Sequence, residues 1–229
     1  MADDVPLSKA ERVYHELRRR IRELTLPPGA PLNKEELALE MGVSRAPVTE
    51  AIARLADEAL VDVFPQHGSF VAPIRAADVR ESLFIRTALE VEAIRRVAQR
   101  SDDNLLKTLE ENIERQAAAL KRNDSATFYE LDEELHATLF NAIESPRALR
   151  MLEAARAPLD RPRRIALPND DRMEMTLAEH RRIVDAIRTR DAEFATAAMR
   201  SHLNMVAQSV ERQLVHIEEL AKQKTGSDG

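Results

Sequence analysis

The chain has 229 residues, 44% hydrophobic and 32% charged but only 3% aromatic, with five glycines and neither cysteine nor tryptophan. That length allows one large or two small domains. The excess of Ala, Leu, Glu and Arg over aromatics and glycine favours helix over sheet, and the lack of cysteine excludes disulfides, zinc ribbons and thiol catalysis. The formal charge is -6, from 34 basic and 40 acidic residues, and residues 1–75 hold 10 Lys/Arg against 12 Asp/Glu, so DNA binding must rest on local arrangement rather than bulk charge.

Ser8 opens a helix, with Glu11 as its capping-box partner. Val13, Leu17, Ile21 and Leu24 follow at helical spacing, and Pro27-Pro28-Gly29 is the expected stop. A short helix over about 34–41 ends at Gly42. Ser44 is expected to cap a third helix carrying Val48, Ile52, Leu55 and Leu60. The period then changes: Val61, Val63 and Phe64, and later Phe70 to Ala72, read as two strands joined by a turn over 65–69. Six helices should follow, at about 77–100, 102–122, 125–143, 146–160, 171–189 and 192–222, each preceded by capping residues. The Arg- and Pro-rich stretch 158–168 has no clear pattern, and the tail KQKTGSDG is expected to be disordered. No apolar run approaches the roughly 18 residues of a membrane span. The acidic, polar start MADDVPLSKAER is unlike a signal peptide, so a cytoplasmic protein without membrane contact is expected.

Residues 34–59 have the spacing of a helix-turn-helix, which sets the start of its second helix in the DNA major groove. That start is Ser44, Arg45, Ala46, Pro47, Val48 and Thr49. Arg45 can pair bidentately with guanine or meet phosphate; Ser44 and Thr49 bring hydroxyls, and exposed amides there attract phosphate. The hairpin tip, with His67 and Gly68, would reach the neighbouring groove or backbone, Gly68 permitting close approach and positive φ. The alternative is that the unit is only a small packed domain.

The run PPGAPLNKEELALEMGVSRAPVTEAIARLADEALVDVFPQHGSFVAP resembles the DNA-binding domain of the GntR family of bacterial regulators over about residues 8–73. It shares that family's Pro-Gly after the first helix, its Glu-Leu-Ala run, Gly-Val-Ser-Arg and the wing glycine. The resemblance implies that Arg45, the neighbouring hydroxyl residues and Gly68 contact DNA. Thr49 departs from it, standing where the family often has arginine, and this alters the expected operator preference.

Polar residues also interrupt the apolar stripes of the later helices. Asp132 and His136, four apart, lie one turn apart on one helix face with Tyr129, Phe140 and Ile143. His180 falls among Met173, Leu177, Val184 and Ile187, and His202 among Phe194, Ala198, Met199, Val206 and Val210. Burying four unpaired polar groups is costly. Convergence on one ion removes that cost, and three imidazoles with one carboxylate suit zinc, nickel, manganese or iron. The competing reading is a set of hydrogen-bonded core histidines. Arg86 shares a stripe with Val79, Leu83, Ala93, Ile94 and Val97. It is either a structural ion pair with Glu90 or a guanidinium aimed at a ligand carboxylate.

This region resembles the FadR-type C-terminal ligand-binding domain known as FCD, over about residues 77–220, through Arg-x-x-Leu-Glu at 86–90, the Asp132/His136 pair, His180 and His202. The resemblance implies that those four hold a metal and that a small organic acid completes its shell with its carboxylate on Arg86. The expected architecture is mainly α: a winged helix-turn-helix over 1–75 and an all-helical antiparallel bundle over 76–229 that binds metal and effector and dimerises.

Three functions follow. The first is a homodimeric repressor that a small carboxylate releases from a palindromic operator. The second is a metal-dependent hydrolase; against it, Glu179 adjoins His180 but should lie about 100° round the helix and face away. The third is a structural metal site without effector.

Overall fold

The structure, a computed structural model, describes residues 7–165 and 170–225, with side chains over 7–162 and 171–216. Its elements in order are α1 (Lys9–Arg22), α2 (Lys34–Glu40), α3 (Arg45–Asp57), β1 (Val61–Phe64), β2 (Gly68–Val71), α4 (Ala76–Arg100), α5 (Asp103–Lys121), α6 (Ser125–Ala142), α7 (Pro146–Ile165), α8 (Asp170–Arg188) and α9 (Ala192–Thr225). Two compact units result: the chain up to Arg80 together with Ala157–Arg164, and Glu81–Arg156 with Ile165 onward. The expected boundary lay at 75/76; the compact units divide after Arg80, and Ala157–Arg164 of α7 groups with the first.

In the first unit the capping box forms: Ser8 Oγ accepts from Glu11 N at 3.1 Å, and Glu11 Oε2 accepts from Ser8 N at 2.9 Å. Helix α1 stops before its prolines, because Leu24 takes a left-handed φ of 60°. Val13, Leu17 and Ile21 pack with Leu37, Val48, Ile52, Leu55 and Val61 in one core that Ala157 of α7 joins. Asn33 caps α2 through Glu35 N and Glu36 N, and Gly42 turns the chain at φ 63°. Ser44 occupies the N-cap position of α3, but its side chain makes no capping bond, which corrects the expectation. Helix α3 ends at Asp57, so Leu60 is buried beyond it rather than on it. Strands β1 and β2 pair antiparallel, Val61 opposite Val71 and Phe64 opposite Gly68. Strand β1 falls where expected, whereas β2 begins two residues before the expected Phe70 and ends one before Ala72; Pro31 bridges to Phe70 on its other side.

The second unit is helical throughout its described residues. Its core joins Ile94 and Val97 of α4, Leu109 of α5, Leu131 and Leu135 of α6, Leu177 and Val184 of α8, and Met199 and Leu203 of α9. Helix α7 continues through Pro158 and Pro162 to Ile165, past the expected end at 160. Each proline removes one intrahelical donor. Arg161 of this segment is buried in the first unit and donates Nη1 to the Ala72 carbonyl. Helix α9 reaches Thr225, so the first half of the expected disordered tail is helical; residues 226–229, and 166–168 of the patternless stretch, lie outside the described residues. Among the described residues no helix is long and apolar enough to cross a membrane.

Candidate metal and DNA-contact sites

The four polar residues singled out from the helical stripes come together. Asp132 and His136 of α6, His180 of α8 and His202 of α9 are all buried, and one ligand atom from each lies within 4.8 Å of the others. The ring centroids of His180 and His202 are 4.8 Å apart, those of His136 and His202 5.3 Å. Their inward nitrogens stay poorly served: His180 Nε2 and His202 Nε2 are buried without a hydrogen-bond partner among the described residues, although His180 Nε2 is 3.3 Å from Asp132 Oδ1.

The outward nitrogens are each met by a different helix. Glu90 Oε2 of α4 lies against His136 Nδ1. Gln116 Oε1 of α5 is 2.8 Å from His180 Nδ1, and Glu179 Oε2 of α8 is 2.8 Å from His202 Nδ1. An acceptor at Nδ1 holds the proton there and leaves the Nε2 lone pair directed inward, the usual support of a metal-binding imidazole. Gln116 is itself held by Asn112, whose Oδ1 accepts from Gln116 Nε2 at 2.7 Å and whose Nδ2 donates to the Leu131 carbonyl at 3.1 Å. Burial lowers His136 to about 4, although Glu90 opposes the shift. Burial and the neighbouring His180 and His136 also push His202 well below its ordinary value. Both rings are therefore neutral near pH 7, the form that donates an electron pair to a cation. The donor set fits a divalent transition metal.

Two guanidiniums border this cluster. Arg86, fully buried, donates Nε to Glu90 Oε1 and sets Nη2 3.2 Å from His136 Nε2. Both readings of Arg86 thus have a physical basis: the ion pair with Glu90 exists, and the other face of the guanidinium reaches the cluster. Burial pushes the Glu90 carboxyl up, but Arg86 and His136 outweigh this and hold it well below the usual carboxylate range. Arg156 of α7 donates Nη2 to Asp132 Oδ2.

Sequence reasoning missed Gln116, Asn112, Arg156 and the role of Glu179. The expectation that Glu179 faces away is corrected: from the flank of α8 its side chain spans to His202 on α9, steadied by Arg172 Nη1 at 3.1 Å. Asn112 and Gln116 carried a usable signal, two amides four apart between the buried Leu109, Ile113 and Ala119. Arg156, set among the buried Leu152, Ala155 and Leu159, carried a similar one.

In the first unit Ser44, Arg45, Ala46 and Thr49 are exposed at the start of α3. Arg45 Nη1 pairs with Glu35 Oε1 at 2.9 Å, both side chains largely in solvent. Thr49 Oγ1 donates to the Arg45 carbonyl at 3.0 Å. His67 and Gly68 are exposed at the hairpin, with Gly68 at φ 106°.

Comparison with known proteins bears on both units. Residues 9–71 match the family model described as bacterial regulatory proteins, gntR family, and residues 81–205 match the FCD domain. An uncharacterised HTH-type transcriptional regulator in an unstable DNA locus of Streptomyces ambofaciens is 38% identical over 208 residues, covering 91% of this chain and 87% of the relative. The HTH-type transcriptional repressor RspR of Escherichia coli (strain K12) is 34% identical over 200 residues, covering 87% and 88%. The solved structure of E. coli McbR/YncC superposes with a TM-score of 0.79 at 20% identity, covering 91% of this chain and all of that one, a likeness of fold. The hydrolase alternative does not stand beside these relatives, and the chain belongs to the GntR family of bacterial regulators, in the group with an FCD domain, as a DNA-binding transcriptional regulator and not an enzyme.

Proposed function

We propose that this regulator is a repressor that a small carboxylate releases from its operator, the carboxylate binding at a divalent transition metal held by Asp132, His136, His180 and His202. The observation that carries this reading is the pair of buried Nε2 atoms of His180 and His202, which lack a hydrogen-bond partner among the described residues and lie beside Asp132, while the Nδ1 of both rings is already engaged. Leaving such atoms bare in a dry core is costly, and a bound cation removes the cost. Zinc is the first choice for three imidazoles and one carboxylate, with nickel, manganese or iron as alternatives. The ion would supply a Lewis-acidic anchor for one carboxylate oxygen; Arg86 would grip the other end of that group by charge-assisted hydrogen bonds. Repression is supported by the kinship with RspR.

DNA contact is assigned to Ser44, Arg45, Ala46 and Thr49 of α3 and to His67 and Gly68 of the wing. Two such heads in a homodimer would read a palindromic operator, and effector binding would bias their arrangement.

The test pairs metal analysis with DNA release. Purified protein should carry about one metal per chain, and the double variant His136→Ala/His180→Ala should carry none. A panel of small carboxylates should include one that stabilises the loaded protein and weakens its hold on operator DNA. Full occupancy in the double variant would refute the ligand set. Metal without any carboxylate response would leave a structural site, the second reading.

A further inference from the structure

Two buried guanidiniums, not one, border the cluster: Arg86 reaches a histidine nitrogen that a metal would claim, and Arg156 holds one oxygen of Asp132 while the other faces the histidines. Arg86 Nη2 lies 3.2 Å from His136 Nε2, and Arg156 Nη2 holds Asp132 Oδ2. The partners behind the ligands are also unlike one another. The three histidines are backed by Glu90, Gln116 and Glu179, acceptors that raise the basicity of an imidazole. Asp132 alone is backed by a cation, which draws electron density from the carboxylate and repels any metal beside it.

The charges make the same point. Arg86 and Arg156 are positive and pair with Glu90 and Asp132, and the nearby Glu179 pairs with Arg172. A divalent ion would add two positive charges to a site where Arg86, Glu90, His136, His180 and His202 are wholly buried. Uncompensated charge in such surroundings is strongly unfavourable.

We propose that Arg156 is a second anion-binding residue of this site, and that the ligand is therefore a small dicarboxylate, one carboxylate gripped by Arg86 and the other by Arg156. This rests on the sensor reading above and adds to it the class of ligand. On loading, Arg86 gives up His136 Nε2 and Arg156 loosens its hold on Asp132, so each presents N–H donors to a new acceptor. A dianion offsets both charges of the ion; a monocarboxylate offsets one. Metal and dicarboxylate then strengthen each other's binding, because linkage between two sites is reciprocal.

The experiment uses the full-length, zinc-loaded protein and calorimetric titration with matched pairs: succinate against butyrate, and malate against 3-hydroxybutyrate, with inorganic phosphate as a compact polyanion. The dicarboxylate should bind about 10- to 100-fold tighter than its partner in at least one pair, the difference that one charge-assisted grip makes. In Arg156→Gln that preference should vanish while monocarboxylate affinity holds, and Arg156→Lys should recover part of it. Zinc affinity of Arg156→Gln without carboxylate should be equal to or higher than that of the native chain, whereas a residue that merely oriented Asp132 would lower it on removal. Should the variants fail to fold, the native mono/di comparison still decides. Equal affinities within both pairs, tighter binding of phosphate than of either dicarboxylate, or an Arg156→Gln that weakens both classes alike would overturn the dicarboxylate assignment and leave the sensor intact. Failure of every carboxylate to bind the loaded protein would overturn the sensor reading as well.

Discussion

Glu179 and His202 are joined across two helices, Glu179 Oε2 standing 2.8 Å from His202 Nδ1, even though Glu179 is the chain neighbour of a different histidine, His180. One turn of α8 thus contributes a candidate ligand and the support of another candidate ligand. Glu179→Ala should weaken metal binding about 10- to 100-fold, the usual effect of losing such a partner. Glu179→Gln, which keeps an acceptor oxygen, should weaken it much less. Competition with a calibrated zinc chelator measures both, and equal losses would mean that charge rather than the hydrogen bond at Nδ1 is what counts.

Arg45→Ala should weaken operator binding by about 1–3 kcal/mol, the worth of a good base contact. The fold should be untouched, because the Arg45–Glu35 pair is exposed and such pairs are worth about 0–1 kcal/mol. Glu35→Gln should leave DNA binding equal or slightly tighter, since it frees Arg45 from a competitor. Gel-shift titration at fixed salt, on a site selected from random-sequence DNA, reads both, and unchanged affinity in Arg45→Ala would remove it from the interface.

Arg86→Leu should destabilise the metal-free protein by roughly 3–5 kcal/mol, because it leaves Glu90 buried without its guanidinium. Arg86→Leu/Glu90→Leu should regain most of that loss, and both variants should bind carboxylate about 10- to 100-fold more weakly. Thermal melts of the two, followed by titration, separate the packing role of Arg86 from its role toward a ligand. A single variant as stable as the native chain would show that Glu90 depends on Arg86 far less than the geometry implies.

The first unit should lose stability in strong alkali. Burial pushes the Tyr14 phenol up to about 12 from an ordinary 10.0; Arg18 opposes this, and Glu58, which accepts the phenolic proton at 2.5 Å, adds to it. Folding therefore favours the protonated phenol. Its contribution is complete below about pH 10 and is lost as pH rises from there through about 12. Tyr14→Phe should be less stable at neutral pH, because buried Glu58 loses a donor, and should lack this alkaline decline. Denaturant midpoints at pH 8 and 11 for both chains make the comparison, and parallel declines would show that other groups govern the alkaline limb.

Periodicity made much of this legible. The winged unit, the six later helices and the four clustered residues all show as apolar spacing or as its interruption by polar groups, because burial acts on both alike. The rest depended on reach across helices. Spacing places Glu179 about 100° from His180 and says nothing of its long side chain spanning to α9. It shows Arg86 with Glu90 but not the Nη2 that extends to His136. The left-handed Leu24 ended α1 ahead of its prolines, and α7 kept its helix through Pro158 and Pro162, where a local rule expects a kink or a break. Local rules are weakest at such points.

The three histidines and their three supports have a topological consequence. Ligand atoms come from α6, α8 and α9, and the groups behind them from α4, α5 and α8, so five helices contribute to one cluster. In a chain without cysteine, an ion there would do the work of a covalent staple. It would close long loops between distant segments and remove conformational freedom from the unfolded chain, and by binding only the folded form it would draw the equilibrium toward that form. Amide protons on all five helices should then slow in exchange together when metal is added, with the bundle opening as one piece instead of fraying helix by helix.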